Sequence, residues 1–124
     1  MLNPNVPAWF EIPTHDLDRA QSFYEKMLGI ELARENFGGN DMAVFRGAGK
    51  PNSSGALVRM PDCEPSVQGS VVYISIDDIR PALDKVKAHA GDVFVPCTAL
   101  PPGMGYFAQI RDCEGNRVGL WSPN

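Results

Sequence analysis

The chain has only five thiol and imidazole side chains, which could ligate a transition metal or form a Cys–His nucleophile–base pair: Cys63, Cys97, Cys113, His15 and His89. The three cysteines are far apart in the chain and form no Cys-x-x-Cys pair, which predicts reduced thiols rather than a disulfide framework. A nucleophilic cysteine needs a base beside it. Because the chain has only two histidines, the sequence does not favour cysteine catalysis. We expect His15 to lie in a loop or helix cap and His89 near the end of a helix, where it favours the helix dipole.

Charge and hydropathy exclude several classes of function. The 124 residues carry a net charge of -4, whereas a nucleic-acid-binding face would be basic. No apolar run approaches the roughly 20 residues that span a bilayer, and the N-terminal residues do not resemble a secretory signal. The sequence therefore predicts a cytoplasmic globular domain without nucleic-acid or membrane partners.

An internal repeat appears when the sequence is compared with itself at an offset of 62 residues. Acidic, apolar and glycine positions then coincide, as in the pairs Asp16/Asp78, Leu17/Ile79, Ala20/Ala82, Gly29/Gly91, Met42/Met104 and Phe45/Phe107. Each copy begins a helix at an aspartate whose carboxylate can accept a free amide of the first turn. An apolar stripe at helical spacing follows, and a glycine then stands where the helix should end.

Short segments rich in β-branched and aromatic residues surround each helix and predict strands. In the first copy they are residues 6–12, 30–36, 42–46 and 56–59, and in the second 70–76, 92–97, 106–111 and 117–121. Each copy is thus a β-α-β-β-β module, one at about 6–60 and one at about 70–122, with a linker at about 61–69. We predict an α+β domain over residues 1–124, in which the two modules form one curved mixed sheet with the helices outside.

Two motifs resemble the vicinal-oxygen-chelate superfamily of glyoxalases, bleomycin-resistance proteins and extradiol dioxygenases. The first is Trp9-Phe10-Glu11-Ile12-Pro13 followed by Asp16-Leu17-Asp18-Arg19-Ala20, Phe23-Tyr24 and Leu28-Gly29. The second runs from Asp112 to Trp121 and looks like the family's Asp-Pro-Asp/Glu-Gly-Asn turn before the last strand. The resemblance covers about residues 6–122 and implies the fold more strongly than any activity.

The resemblance also implies where a divalent metal would be held. Metal-dependent members use His and Glu side chains from four strands, and the matching positions here are at or next to Trp9, Ala56, Val71 and Gly119. None of these side chains can ligate a metal. We therefore expect no family-type metal site and no other cofactor.

Regular pleating places Trp9 with Glu11, Val71 with Tyr73, and Gly119 with Trp121 on the concave face of the predicted sheet. The resemblance adds Gln109 and, beside it, Phe107. We assign Phe45, the repeat equivalent of Phe107, to the same ligand pocket. Among these aromatic rings the Glu11 carboxylate would be desolvated, which makes it the candidate general acid or base, although it could equally be a hydrogen-bonded core carboxylate.

Three functions remain open. The favoured one is a metal-free protein that binds a small aromatic or hydrophobic compound in this cleft. The alternative is a metal-independent lyase or isomerase that uses Glu11, and the least favoured is a metal-dependent glyoxalase or dioxygenase. By resemblance we also expect a homodimer.

Overall fold

The computed structural model describes residues 7–47 and 53–124. Its elements are β1 (Phe10–Pro13), α1 (Leu17–Leu28), β2 (Ala33–Phe37), β3 (Asn40–Arg46), β4 (Ser53–Val58), β5 (Val72–Ser75), α2 (Ile79–Ala88), β6 (Asp92–Ala99), β7 (Tyr106–Arg111) and β8 (Arg117–Ser122). The two β-α-β-β-β modules predicted from the repeat are therefore present. The first strand begins later than predicted, at Phe10, and Val6 lies outside the described residues.

Both helices begin at the predicted aspartates. The Asp16 carboxylate accepts a hydrogen bond from the Arg19 amide at 3.0 Å, and Asp78 accepts one from Arg80 at 3.0 Å. Helix α1 ends at Gly29, whose φ of 67° is the left-handed conformation that glycine adopts most easily.

Helix α2 ends differently from the prediction. Its last residue is Ala88, and the left-handed position is taken by Ala90 with a φ of 71°, not by Gly91. Gly91 is buried, and a β-carbon on it would stand 2.7 Å from the Arg111 carbonyl oxygen and 2.8 Å from Val86 Cγ1. This glycine is therefore needed for close packing against α2 and the end of β7, not for turn geometry.

The strands form two four-stranded sheets of identical topology, β1-β4-β3-β2 and β5-β8-β7-β6. In each sheet the first strand of the module pairs parallel with the last, and the other neighbours are antiparallel. The predicted α+β fold of two β-α-β-β-β modules is confirmed, and among the described residues each module contributes its own four-stranded mixed sheet.

One hydrophobic core joins the modules within a single chain. It contains residues from both helices and from the helix-facing sides of both sheets, among them Tyr24, Leu57, Ile79 and Ile110. Hydrogen bonds also cross between the modules: Tyr24 donates to the buried Asp112 carboxylate at 2.6 Å, and Asn116 Nδ2 donates to the Pro13 carbonyl at 2.8 Å. Within 7–47 and 53–124, no helix is long and apolar enough to span a membrane.

Candidate functional site

The face of the second sheet that points away from the helices carries partly exposed aromatic and polar side chains. Strand alternation separates them from Val118, Leu120, Ala108 and Ile110, which are buried in the core. In the register of β5, β8 and β7, Tyr73, Gly119 and Gln109 form one row across the sheet, and Ser75, Trp121 and Phe107 form the next.

Gly119 lies directly beneath the ring of Tyr73. A β-carbon on Gly119 would stand 2.6 Å from Tyr73 Cγ, which is closer than two carbon atoms can approach without movement. The absence of a side chain at position 119 therefore lets the tyrosine ring lie across the neighbouring strand.

Tyr73, Phe107 and Trp121, together with Leu100, line an apolar cavity of about 320 Å³, which we call the aromatic shelf. The rings of Tyr73 and Phe107 meet edge to face with centroids 6.4 Å apart. The indole N–H of Trp121 donates to the Met104 carbonyl at 2.9 Å, so the loop before β7 holds this side chain in place.

A hydrogen-bonded chain of polar groups borders the shelf. Arg117 Nη1 donates to Gln109 Oε1 at 2.9 Å, and Gln109 Nε2 donates to the Tyr73 hydroxyl oxygen at 2.7 Å. The Arg117 guanidinium also lies 4.4 Å from the centroid of the Phe94 ring, a cation–π distance.

Comparison with known proteins identifies the architecture. The model of the Glyoxalase/Bleomycin resistance protein/Dioxygenase superfamily matches residues 7–120. The chain belongs to this superfamily. Its fold is the glyoxalase fold that the two sequence motifs predicted.

Individual relatives in the superfamily differ in length and in the role that their names state. CFP32 of Mycobacterium tuberculosis, a glyoxylase by name, is 28% identical over 128 residues, which cover 96% of this chain and 46% of CFP32. A glyoxalase I mutant from Zea mays superposes with a TM-score of 0.71 at 20% identity, over 97% of this chain and 47% of the maize chain. TnmS3, an antibiotic binding protein from Streptomyces, superposes with a TM-score of 0.65 at 22% identity over the full length of both chains. This chain thus spans about half the length of CFP32 and of the maize enzyme.

At the positions that the resemblance assigns to the superfamily's metal ligands, the side chains present do not fit a metal. Gly119 carries no ligand and is covered by the Tyr73 ring, and Ala56 is a fully buried methyl side chain. Val71 and Trp9 supply no ligating atom. Across the described residues, no three His, Cys, Asp or Glu side chains are grouped in a way that could hold a metal ion.

Glu11 lies apart from the aromatic shelf. Its carboxylate is exposed and accepts a hydrogen bond from Trp9 Nε1 at 3.3 Å, and Trp9 itself is 39% exposed. Glu11 lines a smaller cavity of about 110 Å³ between β1 and β8, whose wall includes Arg117 but neither Tyr73 nor Trp121. The predicted desolvation of Glu11 among aromatic rings is therefore wrong, because β1 belongs to the other sheet.

Phe45 and Val71 are also outside the shelf. Phe45 is buried on the helix-facing side of the first sheet, with its ring centroid 5.4 Å from that of Phe10 and 5.7 Å from that of Tyr24. Phe45 therefore does not line the aromatic shelf, because its side chain and that of its repeat equivalent Phe107 lie on different faces of their sheets; it lines a separate cavity of about 400 Å³ together with Tyr73 and Ser75. Val71 precedes β5 and takes no part in its pairing with β8.

Sequence reasoning missed Leu100, Phe94 and Arg117. Arg117 could have been found, since it alternates with Gly119 and Trp121 along one strand and must share their face. Phe94 and Leu100 could not, because the pairing of β6 with β7 shifts register between Val93 and Thr98 and breaks the alternation on which such an inference depends.

Proposed function

We propose that this domain binds a small, planar, predominantly apolar compound on the aromatic shelf, without a metal at the superfamily's ligand positions. The observation that carries the proposal is the Tyr73 ring lying over Gly119. A metal-dependent member would hold a ligand side chain at position 119. Here the Tyr73 ring covers that position, so the position becomes part of a continuous apolar surface.

The size and chemistry of the shelf support this function. Its volume of about 320 Å³ is within the range of small-molecule sites, which are mostly apolar with a few polar groups at the edge. Tyr73 is 46% exposed, so a flat ligand can stack on it and gain contact area without displacing a packed side chain. The likeness to TnmS3, whose name states that it binds an antibiotic, supports a binding role for a chain of this length and fold.

A second candidate, a metal-independent lyase or isomerase, is supported by relatives from Vibrio species that are named as probable lactoylglutathione lyases. It would use Glu11, whose exposed position on β1 leaves the carboxylate open to a substrate at the edge between the two sheets. Glu11→Gln distinguishes the two functions, because it removes a general base and does not touch the shelf. The binding function expects unchanged affinity for shelf ligands in this variant.

Titration with 2-naphthylmethanol tests the binding function. In a Trp9→Phe background the indole fluorescence comes from Trp121 alone, since the chain has only two tryptophans. We expect saturable quenching, and we expect Phe107→Ala to weaken binding about tenfold, the equivalent of ~1.4 kcal/mol, because it removes one ring of the shelf.

The matched control is Phe37→Ala, which removes a 53% exposed ring from the other module and should leave the affinity unchanged. Absence of saturable quenching, or equal affinities in the parent and Phe107→Ala proteins, would exclude the shelf as a binding site. The homodimer and the cytoplasmic location expected from the sequence stay predictions, and sedimentation of the purified chain tests the first of them.

A further inference from the structure

Arg117 is a cation beside the aromatic shelf that forms no ion pair among the described residues, although the Glu11 and Glu64 carboxylates line the same small cavity on its other side. Its Nε donates to the Val67 carbonyl at 3.3 Å and its Nη1 donates to Gln109, but none of the ion pairs among the described residues includes it. Arg111 stands opposite Arg117 in the β7–β8 register and provides a contrast, because it is paired with Asp92. Of these two opposed arginines, Arg111 is therefore in an ion pair and Arg117 is not.

The charge on Arg117 fixes the orientation of the next two groups. A guanidinium only donates hydrogen bonds, so the Gln109 atom that faces it must be the amide oxygen. The amide nitrogen of Gln109 then faces Tyr73 and donates to the hydroxyl oxygen at 2.7 Å. Because that oxygen accepts from Gln109, the hydroxyl proton of Tyr73 is left free to donate elsewhere.

Two donors with a positive field are thus presented at the edge of an apolar surface. One is the Tyr73 hydroxyl, which belongs to the shelf itself, and the other is the Arg117 guanidinium, which has N–H groups beyond those given to Val67 and Gln109. Both suit an acceptor oxygen, and the cation favours one that carries negative charge. A compound that lies flat on the rings would place a substituent of this kind over Gln109.

We propose that this polar edge, made of Arg117, Gln109 and Tyr73, selects planar ligands that carry an anionic oxygen next to the ring, as in an aromatic carboxylate. The inference rests on the proposed binding function and specifies the chemical class of its ligand. The Tyr73 ring then stacks on the ligand, and the Tyr73 hydroxyl donates a hydrogen bond to the ligand's anionic oxygen.

Matched naphthalene probes test the selection. The Kd of 2-naphthoate is compared with those of neutral 2-naphthylmethanol and cationic 2-naphthylmethylammonium, by the Trp121 quenching described above. We expect 2-naphthoate to bind about tenfold tighter than the alcohol, because hydrogen bonds to a charged group at a partly exposed edge are stronger than neutral ones. The ammonium compound should bind more weakly than either.

Two variants assign the preference to the polar edge. Arg117→Gln removes the unpaired cation, and the Kd ratio of alcohol to carboxylate should fall toward one. Gln109→Glu should also lower the Kd ratio of alcohol to carboxylate toward one, because the new carboxylate neutralises the charge of Arg117 and accepts a hydrogen bond from the Tyr73 hydroxyl. Having two routes keeps the test valid if either variant folds poorly.

Arg111→Gln is the matched control, because it changes the net charge equally but removes an arginine already paired with Asp92. The ratio should persist in this variant. Equal binding of 2-naphthoate and 2-naphthylmethanol to the parent protein, or an equal loss of preference in Arg111→Gln and Arg117→Gln, would overturn the selection while leaving the shelf intact. Failure of all three probes to bind would instead refute the proposed function.

Discussion

The ring of Tyr73 on β5 covers the α-carbon of Gly119 on β8, its parallel neighbour in the second sheet. By the motif resemblance, Gly119 falls at the position expected for a metal ligand in metal-dependent members. Here the same position supports an aromatic surface, and Gln109 on the other side of Gly119 holds the tyrosine hydroxyl. The absence of a side chain at position 119 therefore shapes the aromatic shelf.

Gly119→Ala should disrupt this arrangement. The new β-carbon cannot coexist with the ring 2.6 Å from Cγ, so either Tyr73 rotates away or the strands separate. We expect a loss of about 1–3 kcal/mol in the free energy of unfolding, as for other overpacked sites, together with at least tenfold weaker binding of 2-naphthylmethanol. Urea denaturation and the fluorescence titration measure the two effects. Gly47→Ala is the control, since a β-carbon there meets nothing within 4 Å.

Tyr24→Phe should destabilise the contact between the modules. The Tyr24 hydroxyl donates to Asp112, whose side chain is fully buried, and its loss leaves a carboxylate oxygen with fewer donors. Burial, followed by the negative charge of Asp112, raises the pKa of Tyr24 well above its usual value, so the phenol remains a donor at all ordinary pH values. We expect Tyr24→Phe to lower the free energy of unfolding, measured by urea denaturation, by about 1–3 kcal/mol. Tyr106→Phe is the control: it changes a half-buried tyrosine of β7 and should leave the stability nearly unchanged. Equal stability of the Tyr24→Phe and parent proteins would contradict the role given to this hydrogen bond.

Cys113 should be the least reactive of the three cysteines. Burial raises the pKa of its thiol to about 12, and the charges of Asp112 and Glu114 act in the same direction. Alkylation requires the thiolate, so iodoacetamide at pH 8 should modify Cys113 more slowly than Cys63 and Cys97, as followed by peptide mass spectrometry. Modification of Cys113 first would show that its surroundings do not suppress the thiolate.

The same thiol predicts a pH dependence of stability. Because the pKa of Cys113 is higher in the folded than in the unfolded chain, its contribution is intact below about pH 9 and is lost progressively as the pH rises toward 12. Cys113→Ala should therefore show a shallower decline in stability between pH 9 and 11 than the parent protein. Parallel declines in the two proteins would contradict this assignment.

Removal of divalent metals should not affect the shelf. After dialysis against EDTA we expect an unchanged Kd for 2-naphthylmethanol and an unchanged urea midpoint, because the residues at the family's ligand positions offer no ligating atom. Elemental analysis of protein purified without chelator is the companion measurement. About one tightly held divalent ion per chain, lost with EDTA together with binding, would overturn the metal-free function.

The sequence predicted most of the local structure because the patterns involved depend on near neighbours. Asp16 and Asp78 begin helices since their carboxylates reach amides two or three residues ahead. Alternation along a strand likewise fixed that Gly119 and Trp121 share a face. The motif resemblance then supplied the fold, which the superfamily match bears out.

The tertiary structure decided which of these faces are enclosed and which side chains meet across them. Glu11 is exposed because β1 lies in a different sheet from Tyr73, and Phe45 is buried because α1 packs on its side of the first sheet. The relation of Arg117 to Gln109 and Phe94 depends on contacts across three strands, one of them irregular in register. Periodicity along the chain determines the direction in which each side chain points, whereas its solvent exposure and hydrogen-bond partners depend on residues that only folding brings together.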